Sequence, residues 1–252
     1  MKEKLRIFLL GAFLLAFTAA AVYYVPTVVS VSISAGEREL PIYCVDTDKP
    51  RIALTFDAAW GNEDTPEILA ILKQHQVKAT FFMTGGWVEK YPDDVKAIHA
   101  AGHDLGNHSE NHKHMSQLSN DEKKTEIMKV QEKVKALTGV DMILFRAPYG
   151  EYNDDVIRTA AACGCYPIQW SVDSLDWKDY GAKSILDTVV NNKALENGAI
   201  ILCHNGAKYT AQALDTMITA LQAKGYELVP VSQLIYKDKY YLDPTGKQTP
   251  VK

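Results

Sequence analysis

The sequence predicts an α/β fold in which helices cover a largely parallel β-sheet. Short apolar strands alternate with amphipathic helices through about seven units between residues 49 and 236. Hydrophobic residues make up 47% and charged residues 23% of the 252 residues, the balance of a globular domain that buries a core. Alternation alone leaves a closed barrel and an open doubly wound sheet as alternatives. In both, a functional site lies at the carboxyl ends of the strands.

The N-terminal segment, residues 1–26, has the pattern of a transmembrane helix. Three basic residues within the first six precede an uncharged stretch from Ile7 to Val25. As a helix, this stretch would span roughly 28 Å, close to the thickness of a bilayer core. The basic residues predict a cytoplasmic N-terminus and an extracytoplasmic domain, hence a single-pass protein of the cell membrane. The small residues Ala19–Ala21 leave cleavage as a signal peptide, and secretion, as the alternative.

The remaining chain divides into a linker, one main domain and a tail. Residues 27–48 are expected to form a linker with short N-terminal strands, because β-branched and polar residues alternate there. The main domain is expected over residues 49–236, and the polar, proline-containing segment 237–252 is expected to be a flexible tail. The predicted strands of the main domain are Ile52–Phe56, Lys78–Met83, His103–Gly106, Met142–Phe145, Tyr166–Trp170, Ala199–Cys203 and Tyr226–Val229.

Capping signals place the predicted helices between these strands. Asp64 and Pro66 begin one helix, and Ser119 with Glu122 forms the capping box of a long helix that ends before Gly139. The other predicted helices are Pro92–Ala101, Asp154–Cys163, a helix containing Ile185–Asn192, Thr210–Ala223 and a short helix after Val229.

Charge and cysteine content exclude several classes of protein. The net charge is −4, whereas nucleic-acid binding favours a basic patch or stripe, so no nucleic-acid partner is expected. A mildly acidic protein gains little general attraction to an anionic polymer, so any binding of such a polymer should be local, through aromatic faces and hydrogen bonds. The protein is expected to be a monomer. The four cysteines lack the paired short spacings of a structural zinc site and are expected to be small buried residues: Cys44, Cys163, Cys165 and Cys203.

Ionisable side chains follow five predicted strands directly. They are Asp57, the pair His108 and His112, Arg146, the pair Asp173 and Asp176, and His204. Because an α/β fold gathers the carboxyl ends of its strands around one cleft, we expect these groups to share a pocket. His108 and His112 are four residues apart, so on a helical turn both imidazoles would face one transition-metal ion. His114 is a poorer candidate, since position i+2 points elsewhere.

Five ordered motifs resemble those of the polysaccharide deacetylase family, the NodB-homology group of carbohydrate esterase family 4. They are Thr55-Phe56-Asp57, His108-Ser109-x-x-His112, Arg146-Ala147-Pro148-Tyr149, Asp173-Ser174-x-Asp176-Trp177 and Leu202-x-His204. The resemblance covers roughly residues 49–235, and the segment Asp57–Gly61 is similar to the sporulation-type deacetylases of spore-forming Firmicutes. It implies a distorted (β/α) barrel of about seven parallel strands and a cell-wall glycan of the peptidoglycan type as substrate.

The resemblance also implies a role for each matching residue. His108 and His112 would hold a divalent metal ion, expected to be zinc, and Asp57, paired with Arg146, would be the general base. His204 would be the general acid, oriented by Asp176 or, as the weaker candidate, by Asp173. The remaining implied residues are Tyr149, whose backbone N–H would face the oxyanion, and the groove-lining side chains Trp177, Leu202 and Trp60.

Ala58 departs from the family pattern, which has a metal-binding aspartate at this position. Three outcomes follow for the metal shell: a carboxylate from Asp57, Glu63 or Asp64 completes it, the metal binds weakly through two histidines and waters, or metal and activity are lost. The first two are favoured, because the other implied catalytic residues are retained. On this view Ala58→Asp would tighten metal binding.

Three functions remain open at this stage. The favoured one is an N-deacetylase acting on hexosamines of peptidoglycan, and the sugar can be N-acetylglucosamine or N-acetylmuramic acid. The second is a catalytically silent glycan-binding pseudoenzyme with the same fold, and the third is an O-acetyl glycan esterase. A nucleotide enzyme and a serine hydrolase are disfavoured, because the chain lacks a Gly-rich phosphate loop after the first strand and a Gly-x-Ser-x-Gly elbow.

Overall fold

The structure of the protein is a computed structural model that describes residues 38–251. The predicted membrane segment 1–26 and the first part of the predicted linker lie outside the described residues. Between residues 38 and 251, no helix is both long and apolar enough to cross a membrane.

The described chain contains the predicted strands and helices of the main domain in the predicted order, together with a helix after Thr84, a strand at Val172–Asp173 and two C-terminal strands that were not predicted. The strands are β1 (Cys44–Val45), β2 (Arg51–Ala58), β3 (Thr80–Met83), β4 (Asp104–Asn107), β5 (Leu144–Phe145), β6 (Tyr166–Pro167), β7 (Val172–Asp173), β8 (Ile200–Asn205), β9 (Glu227–Leu228), β10 (Tyr240–Leu242) and β11 (Lys247–Pro250). The helices are α1 (Thr65–Gln74), α2 (Gly85–Lys90), α3 (Pro92–Ala100), α4 (Asn120–Thr138), α5 (Asp154–Ala162), α6 (Ala182–Val190), α7 (Thr210–Ala223) and α8 (Val231–Leu234).

Seven strands form one curled parallel sheet in the order β6-β5-β4-β3-β2-β8-β7, and β9 pairs with the beginning of β2. The two edge strands, β6 and β7, are consecutive in the chain and are joined by residues 168–171. A linker of this length spans at most about 18 Å, so the two edges of the sheet are held near each other. This resolves the choice between a barrel and an open sheet in favour of a curled, partly closed barrel of seven parallel strands.

The alternation of side chains along β2 separates two apolar layers. Ile52, Leu54, Phe56 and Ala58 belong to the outer cluster, which packs against the helices, whereas Ala53 belongs to the cluster inside the curled sheet. Successive residues of a strand point to opposite faces, so Asp57 lies on the inner face. The strand therefore delivers one carboxylate to the interior while its other side chains stabilise the helical layer.

Local signals set the ends of helix α4 as predicted, whereas the Asp64 side chain makes no capping hydrogen bond at the start of α1. Ser119 and Glu122 form the capping box at the start of α4, and Gly139 ends the helix with a φ of 77° in the left-handed region, which glycine adopts without a steric cost. Helix α2 was not predicted. It begins with Gly85 and Gly86, which are weak helix formers, and the Thr84 side chain caps it by accepting a hydrogen bond from the backbone N–H of Trp87.

The C-terminal segment differs from the predicted flexible tail. Strands β10 and β11 pair with each other, and β11 pairs with β1 to complete a second, three-stranded sheet. Gln248 is fully buried, and its side-chain amide bonds the backbone N–H and carbonyl of Tyr236 at 2.8 and 2.7 Å. The polarity of the segment suggested mobility, but pairing with a strand about 200 residues earlier gives its backbone groups partners.

Candidate active site

A cleft of about 690 Å³ opens at the carboxyl ends of the strands. Eight of the predicted site residues line it: Asp57, Trp60, His108, His112, Tyr149, Trp177, Leu202 and His204. The other two, Arg146 and Asp176, lie directly beneath, where they contact Asp57 and His204. The structure thus brings together groups that are up to about 150 residues apart in the sequence, as expected for parallel strands that end on one side of a sheet.

Asp57 is held as a carboxylate by a fully buried arginine. The Arg146 guanidinium donates to Asp57 Oδ1 at 2.7 Å, to Thr55 Oγ1 at 2.9 Å and to the Gln169 carbonyl at 3.1 Å. Burial raises the pKa of Asp57, but the charges of Arg146, His108 and His204 together with the Arg146 hydrogen bond outweigh it, so the pKa lies below its usual value. Asp57 is therefore ionised and fixed in orientation at neutral pH.

The two histidines that follow β4 present neutral imidazoles to the cleft. His108 Nδ1 lies 2.8 Å from the Arg146 carbonyl oxygen. Because a carbonyl oxygen only accepts, Nδ1 carries the proton and donates, and Nε2 of the neutral ring keeps its lone pair. Nε2 faces Asp57 Oδ2 at 3.5 Å. The His112 ring lies 4.9 Å from the His108 ring, centroid to centroid. Burial lowers the pKa of both groups, and together with the charge of His108 it lowers that of His112 to about 4.

The prediction that these histidines share a helical turn is wrong. Residues 108–114 form a loop, and Ser109 and His112 adopt left-handed backbone conformations with φ of 65° and 53°. The Ser109 side chain accepts a hydrogen bond from the backbone N–H of His112 at 3.1 Å, which draws the loop back on itself. The imidazoles meet through this fold of the loop rather than through helical periodicity.

His204, at the end of β8, is bound to Asp176. Asp176 accepts from the His204 backbone N–H at 2.6 Å and bonds ring atom Nδ1 at 2.7 Å, and it also accepts from Thr210 Oγ1 at 2.7 Å. Burial lowers the pKa of His204, but the hydrogen bond and charge of Asp176 outweigh it, and the net pKa is raised. Asp173, the other candidate for this role, lines the cleft and accepts from the backbone N–H of Leu175.

Exposed aromatic rings also line the cleft. Trp60 is 54% exposed and lies 5.4 Å from the His204 ring and 6.2 Å from the His112 ring. Tyr149 is 57% exposed, with its ring edge-on to His112 at 4.6 Å, and Trp177 is 53% exposed. Leu202 is buried and also lines the cleft. Flat apolar rings beside polar groups suit the faces of sugar rings.

Two side chains in the cleft, those of His108 and His112, are suitable as ligands of one metal ion. The free Nε2 of His108 and the neighbouring His112 ring are suitable ligands, but between residues 38 and 251 no cluster of three or more His, Cys, Asp or Glu side chains has the geometry of a metal site. Ala58 packs in the outer apolar cluster, so an aspartate there would reach the cleft only if the end of β2 turned. Both oxygens of Asp64 accept from the backbone N–H of Gly206, and Asp64 also bonds Asn205, so its hydrogen bonds tie it to the loop after β8.

Several cleft residues were not singled out from the sequence. Asp179 lies in the loop after β7, a strand that the sequence did not predict, whereas Lys208 follows the predicted strand Ala199–Cys203, so the rule that located the other groups applied to Lys208 alone. Trp170 also lines the cleft, and its ring lies 5.5 Å from the Arg146 guanidinium carbon. The sequence does not indicate Trp170 as a cleft residue, because the predicted strand Tyr166–Trp170 includes it.

Comparison with known protein families and sequences gives consistent matches. Residues 45–168 match the family described as polysaccharide deacetylase. The chain is 40% identical over 206 residues to the uncharacterized protein YlxY of Bacillus subtilis, covering 82% of this chain and 63% of YlxY. It is 37% identical over 196 residues to a peptidoglycan-N-acetylglucosamine deacetylase of Bacillus cereus, covering 76% of this chain and 70% of that enzyme. The match thus spans less than two thirds of YlxY.

Comparison with solved structures adds a relative without activity. A Bacillus anthracis protein described as a CE4 family pseudoenzyme superposes with a TM-score of 0.75 at 36% identity, over 84% of this chain and 73% of that one. A mutant of that protein, described as having restored enzymatic activity, superposes with a TM-score of 0.75 at 39% identity, over 79% of this chain and 72% of the mutant.

Proposed function

Since this chain belongs to the polysaccharide deacetylase family, we propose that it hydrolyses acetamido groups on N-acetylated hexosamines of a peptidoglycan-type polysaccharide. The observation that carries this proposal is the pairing of a carboxylate and a histidine in one cleft. Asp57 is kept ionised by Arg146, and His204 is kept basic by Asp176. A carboxylate whose pKa is lowered and a histidine whose pKa is raised are suited to act as a general base and a general acid.

In the proposed reaction, Asp57 accepts a proton from water as the water oxygen bonds the acetamide carbon. The backbone N–H of Tyr149 would donate to the carbonyl oxygen as negative charge develops on it. His204 then donates its proton to the amide nitrogen, the C–N bond breaks, and acetate and a free amino sugar leave. Trp60, Tyr149 and Trp177 would pack against sugar rings on either side of the reacting group.

We propose that His108 and His112 hold a divalent transition-metal ion, with zinc expected. When bound, such an ion would supply polarisation of the acetamide carbonyl and a lowered pKa for a bound water. The two imidazoles are neutral, the form that binds metals, and the Arg146 carbonyl fixes the tautomer of His108. With two protein ligands, binding should be weaker than in a site with three.

The test is acetate release from peptidoglycan and from an acetylated chitooligosaccharide, measured with added zinc and with a chelator. Release that the chelator abolishes supports the proposal. No release at any zinc concentration, together with retained glycan binding, would instead establish a glycan-binding pseudoenzyme. Ala58 and the inactive Bacillus anthracis relative favour that second candidate. Faster release from an O-acetylated glycan would identify an esterase.

We also propose that residues 1–26 anchor the protein in the cell membrane with the domain outside. The uncharged stretch from Ile7 to Val25 after three basic residues supports this placement. Fractionation of cells expressing the full chain tests it. Protein in the membrane fraction with its full mass supports an anchor, whereas shorter protein in the medium indicates cleavage and secretion.

A further inference from the structure

We propose that Glu126, a residue of helix α4 that does not touch the cleft, is a positioning residue for His112. The effect of Glu126 on metal binding and catalysis rests on the proposed function. Its effect on the conformation of the loop that carries His112 does not. Glu126 is 4% exposed and is bonded to the loop that carries His112.

The contacts form a two-pronged clamp on the residue before His112. Glu126 Oε2 accepts the backbone N–H of Asn111 at 2.7 Å, and Oε1 accepts the Asn111 side-chain amide at 2.8 Å. Lys113, on the other side of His112, lies 3.2 Å from Oε1. One carboxylate therefore binds both neighbours of His112 in the chain. Burial raises the pKa of Glu126, but its hydrogen bonds with Asn111 and Lys113 outweigh it and keep the group ionised.

A second attachment comes from the next residue of α4. Asn107, fully buried at the end of β4, donates to the Ile127 carbonyl at 2.8 Å and accepts from the backbone N–H of Ser109 at 2.9 Å. Helix α4 thus holds both ends of the histidine loop through two consecutive positions.

The loop needs such support because its backbone is strained. Ser109 and His112 both have positive φ, a conformation that side chains other than glycine adopt at an energetic cost and that persists only when surrounding contacts enforce it. The His112 backbone position fixes where its imidazole lies relative to His108. Releasing Asn111 would let His112 relax, and the two rings would no longer converge.

Exchanging the carboxylate and the amide between positions 126 and 111 tests the clamp. The double variant guards against a single variant that simply destabilises the fold. Asn111→Asp places a second carboxylate against Glu126 and breaks the pair by repulsion. Adding Glu126→Gln restores it, because glutamine accepts the backbone N–H and donates to Asp at position 111. Glu126→Ala removes the clamp outright. Glu132→Gln, which neutralises an exposed residue of the same helix, is the matched control.

Hydrogen exchange of residues 107–115 in the metal-free protein is the first measurement. We expect Asn111→Asp and Glu126→Ala to accelerate it about tenfold or more, while exchange in β2 stays unchanged. Calorimetric zinc affinity and kcat for acetate release should fall by about 10- to 100-fold, with KM nearly constant. The double variant should recover much of the wild-type exchange rate, zinc affinity and kcat, since it regains the contacts of position 111 but lacks the ion pair with Lys113.

Two results would overturn the proposal: wild-type exchange in the Asn111→Asp variant, or no recovery in the double variant. If the wild-type protein releases no acetate, exchange and zinc affinity still decide the role of Glu126. The experiments therefore distinguish a wrong proposal about Glu126 from a wrong proposal about deacetylase activity.

Discussion

At the scale of single residues, the site depends on two buried ion pairs with opposite consequences. Arg146 lowers the pKa of Asp57, and Asp176 raises that of His204. Each partner is itself held by further hydrogen bonds, Arg146 by Thr55 and Asp176 by Thr210. Protonation states suited to acid–base catalysis thus arise from local electrostatics, because each buried charge has a fixed counter-charge.

Replacement of the proposed base should remove activity with little change in shape. Asp57→Asn keeps the side-chain size but cannot accept a proton, so acetate release should fall by about 10²- to 10⁴-fold. The loss is measured by acetate release under saturating zinc. Asp215→Asn is the control, since Asp215 is exposed and pairs with His75 far from the cleft. Comparable activity in the Asp57→Asn variant would exclude Asp57 as the base.

The pH profile should report the Asp176–His204 pair. His204 must be protonated to act as an acid, so activity should decline as pH rises through its raised pKa. Asp176→Asn removes the charge that raises it and should move this alkaline limb to lower pH.

The same pair should contribute to stability in a defined pH window. Because the folded-state pKa of His204 is raised above 6.5, its contribution is complete below that value and is lost as pH rises through the folded pKa. The stability difference between wild type and Asp176→Asn should therefore shrink at alkaline pH. Denaturant unfolding at several pH values checks this, and a difference independent of pH would contradict it.

At the scale of elements, helix α4 connects local sequence signals to the site. Its capping box fixes where the helix begins, and residues 126 and 127, about two turns further along, hold the histidine loop. Strand β2 also positions a site residue, because the alternation of its side chains directs Asp57 inward and Phe56 and Ala58 outward. The phase of each element therefore decides which side chains reach the cleft.

Loss of the α4 cap should destabilise the domain measurably. Ser119 Oγ accepts from the backbone N–H of Glu122, and Ser119→Ala should lower the free energy of unfolding by about 0.5–2 kcal/mol. Lys129→Ala, an exposed change in the middle of the same helix, should have an effect within about 0.5 kcal/mol. Equal effects in the two variants, measured by denaturant unfolding, would show that the cap is not stabilising.

At the scale of the whole molecule, two sheets share the chain. The curled parallel sheet carries the site, and the small sheet of β1, β10 and β11 fastens the C-terminal segment to the segment before β2. Tyr240 of β10 packs into the cluster inside the curled sheet, so the small sheet covers part of that core.

A buried amide in β11 provides the test of this arrangement. Gln248→Ala would leave the N–H and carbonyl of Tyr236 without their partner, so the free energy of unfolding should fall by at least about 1–3 kcal/mol. Thr249→Ala, at the next and less buried position, should have a smaller effect. If the Gln248→Ala variant has the same midpoint denaturant concentration of unfolding as the wild-type protein, the C-terminal segment is not packed as the structure describes.

Much of the fold was predictable because its signals are local. Helix α7 has the predicted bounds, and the box at Ser119 and the stop at Gly139 are as expected. The weakest predictions concerned β6, predicted as a five-residue strand through Trp170. Only Tyr166 and Pro167 belong to it, because residues 168–171 cross to the other edge of the sheet, a turn that periodicity does not show.

The sequence by itself determined the chemistry of the cleft, because residue type and position after a strand are properties of short segments. It placed Asp57, His108, Arg146 and His204 at strand ends, and the structure gathers them in one place. Only the tertiary structure decided the curling of the sheet, the left-handed histidine loop, the outward direction of Ala58 and the ordered C-terminal strands. Each depends on contacts between residues distant in the chain, and such contacts override local preference.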